Sequence, residues 1–214
     1  MSGLTLRAAL AVLFALSVTG CHAKFKKAAP GIDQVRTQTY AMTPPHVFLG
    51  KMVDDGPVGI IVNVAQGVNE VAIRRRIQDA VDREDVATAL HKGVAEGLGD
   101  GPPFSWTAGR EADATVQLEV ANWGLEAYTL GAQGRFTYDV RVRVYTASGK
   151  RVYSARTNCD SMAGDPHELS QALGLVSNVD QIMEMEDHEI QAAFEEVARW
   201  CGMEIAMKMR QHGG

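Results

Sequence analysis

The stretch Phe136-Thr-Tyr-Asp-Val-Arg-Val-Arg-Val144 alternates between apolar and polar side chains at every position. A second stretch, Ala114-Thr-Val-Gln-Leu-Glu-Val120, has the same period of two. That period is typical of a β-strand with one face on the core and the other face toward water. We therefore predict two half-buried strands. They indicate a fold with a sheet that is open to solvent on one side.

The turn signal Ser148-Gly149 predicts that the chain then reverses into a further strand, from Arg151 to about Asn158. With a two-residue turn, Cys159 lies opposite Tyr138 and faces the core. A bulged turn would shift the register by one residue and bring polar side chains of the returning strand inward instead. We favour the two-residue turn because it buries fewer polar groups.

Two segments have helical periodicity. Residues 69–98 contain no proline and carry apolar side chains at helical spacing, which predicts a long helix with a break near 82–85. The last helix is predicted over about 180–209, and Cys201 lies in the middle of its apolar stripe. Cys159 and Cys201 thus both point into the layer between sheet and helix. We predict a disulfide between them, the alternative being two buried free thiols.

The β-branched run Val58–Val64 predicts an inner strand ahead of the first long helix. The element order is then β-α-β-β-β-α. This order predicts an α+β two-layer sandwich, in which a mainly antiparallel four-stranded sheet carries two helices on one face. The globular domain is expected to span residues 57–214.

The N-terminus has the layout of a secretory signal, with Arg7 followed by the apolar run Ala8–Leu16. That run is about half the roughly 20 residues that a membrane-spanning helix needs. Directly after it, Val18-Thr19-Gly20-Cys21 resembles the lipobox of bacterial lipoproteins. A plain signal peptide with cleavage elsewhere is the alternative.

The resemblance to lipoproteins implies a signal peptide over 1–20, a diacylglycerol on the Cys21 thiol and a further acyl chain such as palmitate on the new amino terminus. Three chains would hold the protein firmly at a membrane. In this family an aspartate after the cysteine retains the protein at the inner membrane, so His22 implies an outer-membrane anchor facing the periplasm. Residues 21–56 are then expected to form a lipid-anchored tether and approach segment, in which 37–40 and 46–49 are short enough to be edge strands or docked loop.

The first lysines of this tether, Lys24, Lys26 and Lys27, either favour anionic lipid headgroups or are simply solvated. The whole chain has 21 basic and 26 acidic residues and a net charge of −5. Nucleic acid is excluded as a partner because its binding requires the neutralisation of many phosphates. We also predict no cofactor, because the glycines at 97, 99 and 101 follow a helix rather than a strand.

The signal and lipobox, the module order, the strand Ala114–Val120 and the hairpin Thr146–Tyr153 together resemble small envelope lipoproteins that serve larger machines. Examples are the lipopolysaccharide-assembly lipoprotein and the auxiliary lipoproteins of ABC-type lipid transporters. The resemblance implies a non-catalytic accessory or scaffold role in an envelope assembly or transport system, with protein partners or a lipid ligand. The expected contact surfaces are the polar sheet face (Gln117, Glu119, Arg141, Arg143, Trp123) and the loops around Trp106 and Gly131-Ala-Gln-Gly134.

The alternative is a periplasmic metal-dependent hydrolase, since Glu184 and His188 are four residues apart in the predicted last helix. The third ligand and the general base of such a site are missing from the pattern, and acidic residues also suit a helix N-terminus. A Cys159 nucleophile with Asp165 and His167 is disfavoured because Cys159 is expected to face the core. We therefore predict no metal-binding or catalytic residue and favour a non-enzymatic role.

Overall fold

A computed structural model describes residues 23–40, 43–49, 70–99, 104–109, 111–127, 135–160 and 182–214. Helix α1 covers 23–28 and continues as a 3-10 turn, Ala29–Gly31; helix α2 includes 70–80. Two strands precede α2: β1 (Gln34–Tyr40) and β2 (His46–Leu49). The elements that follow α2 are α3 (Arg83–Leu98), β3 (Ser105–Trp106), β4 (Ala114–Ala127), β5 (Arg135–Thr146), β6 (Arg151–Asp160) and α4 (Asp187–Gly213).

The six strands form one mixed sheet in the order β3-β1-β4-β5-β6, and β2 also pairs with β4. The pairs β4–β5 and β5–β6 are antiparallel, as predicted. The predicted four-stranded sheet is nevertheless too small, because β1, β2 and β3 add parallel pairings. Within the described residues the fold is α+β, with four helices and a six-stranded mixed sheet.

The hairpin of β5 and β6 has the predicted register over most of its length, with Tyr138 opposite Cys159 and Val144 opposite Tyr153. The turn itself differs from the prediction. The N–H of Thr146 donates to the carbonyl of Lys150, 3.0 Å away, so the turn contains an extra residue. A bulge at Val152 absorbs that residue, which keeps the apolar side of β6 on the core.

A second bulge lies in β4, between Val120 and Asn122. The even-numbered residues of β4 are buried before this bulge and the odd-numbered ones after it. Trp123 is therefore fully buried, and its indole N–H donates to the carbonyl of Thr43 at 2.6 Å. The bulge thus moves Trp123 from the polar face, where the alternation placed it, into the core.

The predicted long helix is broken at 81–82, close to the expected position. The Asp82 carboxylate caps α3 by accepting the N–H of Glu84 at 2.7 Å. Helix α4 begins at Asp187, later than predicted, because Glu186 and Glu189 form a capping box there. These two caps set the starts of the two helices that cover the sheet.

Helices α3 and α4 pack backbone to backbone. A methyl group on Gly93 would clash with the Arg199 carbonyl, and one on Gly202 would clash with the Leu90 carbonyl. Gly97 similarly faces Ala206. Glycine is needed at these positions because any side chain would push the helices apart.

The disulfide expected from the sequence is present, joining Cys159 on β6 to Cys201 on α4 with a Cα–Cα distance of 5.5 Å. Both cysteines are buried in the core. The bond crosses the layer between sheet and helix. It therefore ties the last helix to the far edge of the antiparallel sheet.

Residues 23–40 and 43–49 belong to the folded domain rather than to a tether. Phe25, Ile32, Val35 and Val47 are between 1% and 4% exposed. The domain therefore begins before the expected boundary at residue 57. The predicted signal segment 1–20 and the predicted strand Val58–Val64 lie outside the described residues.

Candidate binding cleft

The outward edge of β1 is paired over only part of its length. The carbonyl of Gln34 accepts from Asp113 on the β4 side, and that of Val35 accepts from Thr107 on the opposite side. Since backbone groups of successive strand residues point to opposite edges, Thr37 and Thr39 direct theirs away from β4. Strand β3 reaches only Gln34 and Val35, so no described strand pairs with β1 beyond that point on this edge.

A cleft open to solvent lies beside this edge, between β1, the end of α2 and the first half of α3, with a volume of about 1130 Å³. Among its described lining residues the only aliphatic side chains are Val81 and Ala87. The other lining residues are polar or charged: Thr37, Gln38, Thr39, Gln78, Asp82, Arg83, Glu84, Thr88 and His91. These walls offer many hydrogen-bonding groups that an extended peptide can use.

Two of the lining residues, Thr37 and His91, form a cluster with Trp106. The Thr37 hydroxyl lies 2.6 Å from Nδ1 and 2.9 Å from Nε2 of His91. The indole N–H of Trp106 donates to the same hydroxyl at 3.4 Å, and the Trp106 ring meets the His91 ring edge-on. The hydroxyl therefore holds both rings in place.

Burial lowers the pKa of the His91 imidazole below its ordinary value of 6.5. The ring is therefore neutral at neutral pH, with one nitrogen that donates and one that accepts a hydrogen bond. Nearby, the Thr39 hydroxyl oxygen is buried and has no hydrogen-bond partner among the described residues. An incoming polar group could satisfy that oxygen, which is consistent with a binding role for the cleft.

The open face of the sheet, by contrast, is largely self-neutralised. Glu119 receives hydrogen bonds from Arg141 at 3.0 Å and from Arg143 at 2.8 Å, and Arg156 pairs with Asp139. Such cross-strand pairs stabilise the sheet itself. The charges expected to meet a partner on this face thus already have partners within the domain.

The residues expected on the partner surfaces lie in different environments in the structure. The prediction that Trp123 lies on the polar sheet face is wrong, because the β4 bulge places it against Tyr138 and Phe194 in the core. Trp106, from the other expected surface, contacts Thr37 and His91, which line the cleft. The loop 131–134 lies outside the described residues.

The residues expected for a hydrolase do not assemble as that hypothesis requires. Glu184 lies in a turn ahead of α4 and His188 lies inside it, so the two do not have the helical i, i+4 spacing that would let them share a metal. In the described ranges no group of three or more His, Cys, Asp or Glu side chains is placed to hold a metal ion. Cys159 is in the disulfide rather than a free thiol; Asp165, His167 and the lipidation residue Cys21 lie outside the described residues.

Sequence reasoning did not single out Thr37, Thr39 or His91. Thr37 and His91 are 54 positions apart, and neither belongs to a motif. One weak signal was available, since Thr88 and His91 place polar groups three residues apart on a helix whose neighbouring Leu90 and Val94 are apolar.

No protein-family model matches the chain, and no curated protein matches its sequence. Among solved structures it is similar to protein XCC0632 of Xanthomonas campestris, a DUF330 protein, with 11% identity, 85% of each chain covered and a TM-score of 0.38. It is also similar to hypothetical protein CT253 of Chlamydia trachomatis (11% identity, 78% and 98% covered, TM-score 0.34) and to lipoprotein GNA1162 of Neisseria meningitidis (17%, 72% and 99%, 0.25). At these identities and TM-scores the likenesses assign neither a family nor a function.

None of the described helices is both long enough and apolar enough to span a membrane.

Proposed function

We propose that this chain is a membrane-anchored bacterial lipoprotein that acts as a non-catalytic accessory or scaffold component of a cell-envelope assembly or transport system. In this proposal it holds an extended segment of a protein partner in the cleft beside β1. The anchor rests on the sequence Val18-Thr19-Gly20-Cys21, which places an acceptor thiol directly after an apolar signal segment. The disulfide supports an oxidising compartment such as the periplasm.

The observation that carries the binding role is the outer edge of β1, where no described strand pairs with Thr37 or Thr39. The outward backbone groups of Thr37 and Thr39 are offered at the floor of a cleft whose other wall is a helix. An extended peptide that pairs with a strand edge gains main-chain hydrogen bonds there and places alternate side chains toward the helix. The polar lining and the neutral His91 ring suit such a peptide, whereas the open sheet face has already paired its charges.

The anchor is tested by Cys21→Ala in cells. We expect the wild-type protein to sediment with membranes and to carry the mass of its acyl chains, and the variant to lose both. Mass spectrometry of the purified proteins and flotation of the membranes measure these two properties. A wild-type protein without acyl groups, or a variant with an unchanged membrane distribution, would refute the anchor.

The cleft is tested by photo-crosslinking in cells, with a photo-reactive amino acid in place of Thr88 on the cleft wall. The same amino acid in place of the exposed Glu196 on α4 is the control position. We expect a discrete crosslinked product from position 88 and none from position 196. Products from position 196 alone would place the partner elsewhere.

A second variant shows which contact holds the partner. Thr39→Pro removes an N–H that points to the open edge and takes no part in the β1–β4 ladder, so a folded protein is expected. The matched variant Thr39→Val keeps this N–H and removes the hydroxyl. We expect the position 88 crosslink to disappear in Thr39→Pro and to persist in Thr39→Val. Persistence in both variants would exclude pairing with the strand edge.

A further inference from the structure

Helix α1 is fixed to the core, which brings the start of the mature chain close to the domain. Phe25 is 1% exposed and packs against Phe104 and Tyr153, with ring centroids 5.8 and 4.7 Å away. Ala29 in the following turn is fully buried. Residue 23, where the described chain begins, is therefore held at a defined place on the domain.

Three elements meet at this end of the sheet. The Asp113 carboxylate accepts the backbone N–H groups of Asp33 at 3.0 Å and Gln34 at 2.9 Å. The Asp113 carbonyl accepts the N–H of Ala147 at 2.7 Å. The junction of α1 with β1, the start of β4 and the β5–β6 turn thus form one continuous end of the molecule.

This end carries exposed basic side chains, here called the basic end: Lys24, Lys26 and Lys27 on α1, and Lys150 and Arg151 at the β5–β6 turn. Among the described residues of these three elements the acidic ones are Asp33, Glu111 and Asp113, and the Asp113 carboxylate already accepts two backbone N–H groups. The basic end has more positive than negative side chains, whereas the whole chain has a net charge of −5. Its charge is therefore opposite to that of the chain as a whole.

We propose that the basic end lies directly on anionic phospholipid headgroups and that the domain stands upright on the membrane, with the cleft facing away from it. This inference rests on the proposed lipidation of Cys21, which precedes residue 23 by two positions. Two extended residues span at most about 7 Å, so an acylated Cys21 holds α1 at the headgroups. The lysines then face the surface that the lipid chains enter.

Each basic residue near an anionic surface strengthens binding about fivefold, so the three α1 lysines together contribute on the order of 100-fold. A domain docked in this way has a fixed orientation, whereas a domain on a long tether would sample all orientations. Orientation is therefore the property to measure.

The experiment uses the full mature lipoprotein on vesicles of phosphatidylethanolamine with phosphatidylglycerol, or with phosphatidylcholine as the neutral control. A dye is attached at Ser148→Cys in the β5–β6 turn or at Glu84→Cys beside the cleft. Energy transfer to a headgroup dye reports the height of each position. On anionic vesicles we expect strong transfer from position 148 and weak transfer from position 84, with the difference shrinking in high salt and on neutral vesicles.

The triple variant Lys24→Glu/Lys26→Glu/Lys27→Glu is expected to lower the ratio of docked to undocked protein by more than 100-fold and to make the two positions alike. The matched variant Arg74→Glu/Arg75→Glu/Lys92→Glu makes the same change of charge at exposed positions on α2 and α3, and it should keep the difference. Flotation with the vesicles separates the two proposals. Protein that floats with equal, salt-independent transfer at both positions overturns the docking and leaves the anchor standing. Protein that does not float overturns both.

Discussion

The two faces of the sheet share the same strands and differ in what stabilises them. On the covered face Val116, Val140 and Val142 pack beneath α3 and α4, which touch backbone to backbone and are tied to the sheet by a disulfide. On the open face the same strands present Glu119, Arg141 and other charged groups that pair with each other near water. Burial and covalent closure contribute free energy that water does not screen, whereas exposed ion pairs contribute little. We therefore expect substitutions on the covered face to destabilise the fold far more than those on the open face.

The largest effect is expected from removing the disulfide with Cys159→Ala/Cys201→Ala. The bond closes a loop with a sequence separation of 42, which in the chain-entropy model corresponds to about 4 kcal/mol of stability. Urea unfolding of the variant and of the oxidised wild type measures the difference. Adding a reductant should destabilise the wild type and leave the variant unchanged. A loss below about 1 kcal/mol would mean that the helix is held by packing alone.

Gly202→Ala tests how much the close contact of α3 with α4 contributes to the stability of the covered face. The new methyl group meets the Leu90 carbonyl, so α3 and α4 must separate, at an expected cost of about 1–3 kcal/mol. Gly31→Ala is the matched control, because its methyl group would enter open space. Thermal unfolding of both variants is the measurement. Equal melting temperatures for Gly202→Ala and the wild type would contradict the close contact of the helices.

Glu119→Gln tests the open face. Glu119 pairs with Arg141 and Arg143, and all three side chains are at least one quarter exposed. We expect a loss of less than about 1 kcal/mol, which shrinks further as salt is added. Urea unfolding at low and high salt measures it. A loss as large as that of Gly202→Ala would remove the distinction between the two faces.

The smallest expected change in stability comes from His91, which lines the cleft beside β1. Burial lowers the pKa of His91 in the folded protein below its ordinary value of 6.5, so protonation favours the unfolded state. Stability from this group is complete above about pH 6.5 and falls as the pH drops below it. His91→Gln should remove this part of the pH dependence, measured as the difference between the two unfolding curves. Parallel curves for wild type and variant would show that His91 does not titrate with folding.

Much of the antiparallel half of the molecule could be predicted from the sequence because its signals are long and local. The alternation over Phe136–Val144 and the helical stripe through Cys201 each repeat several times, and together they predict the disulfide. Strands β1 and β2 give a weaker signal, which predicts 37–40 and 46–49 only as edge strands or docked loop, because these strands are short and pair in parallel with distant β4. Trp123 was misplaced because one extra residue, Ala121, reverses the alternation of β4.

The cleft could not be predicted because its parts meet through tertiary contacts alone. Thr37 and His91 are joined by a hydrogen bond across 54 positions, and among the described strands β3 pairs with only the first two residues of β1 on the cleft side. The Glu184 and His188 pair failed for a local reason: the capping box starts α4 at Asp187, which leaves Glu184 outside the helix.

The length of helix α4 sets the distance between the basic end of the domain and its opposite end. Its 27 residues extend over about 40 Å at 1.5 Å per residue. Its last turn lies beside α1, where Gly213 approaches Phe25, and its first turn lies beside α2, where Asp187 pairs with Arg76. With the basic end on the lipid, this rigid rod would lift the mouth of the cleft clear of the headgroup layer. A partner would then have to present its segment above the bilayer surface, so a soluble chain or the projecting domain of a membrane protein fits this geometry better than a segment lying within the lipid.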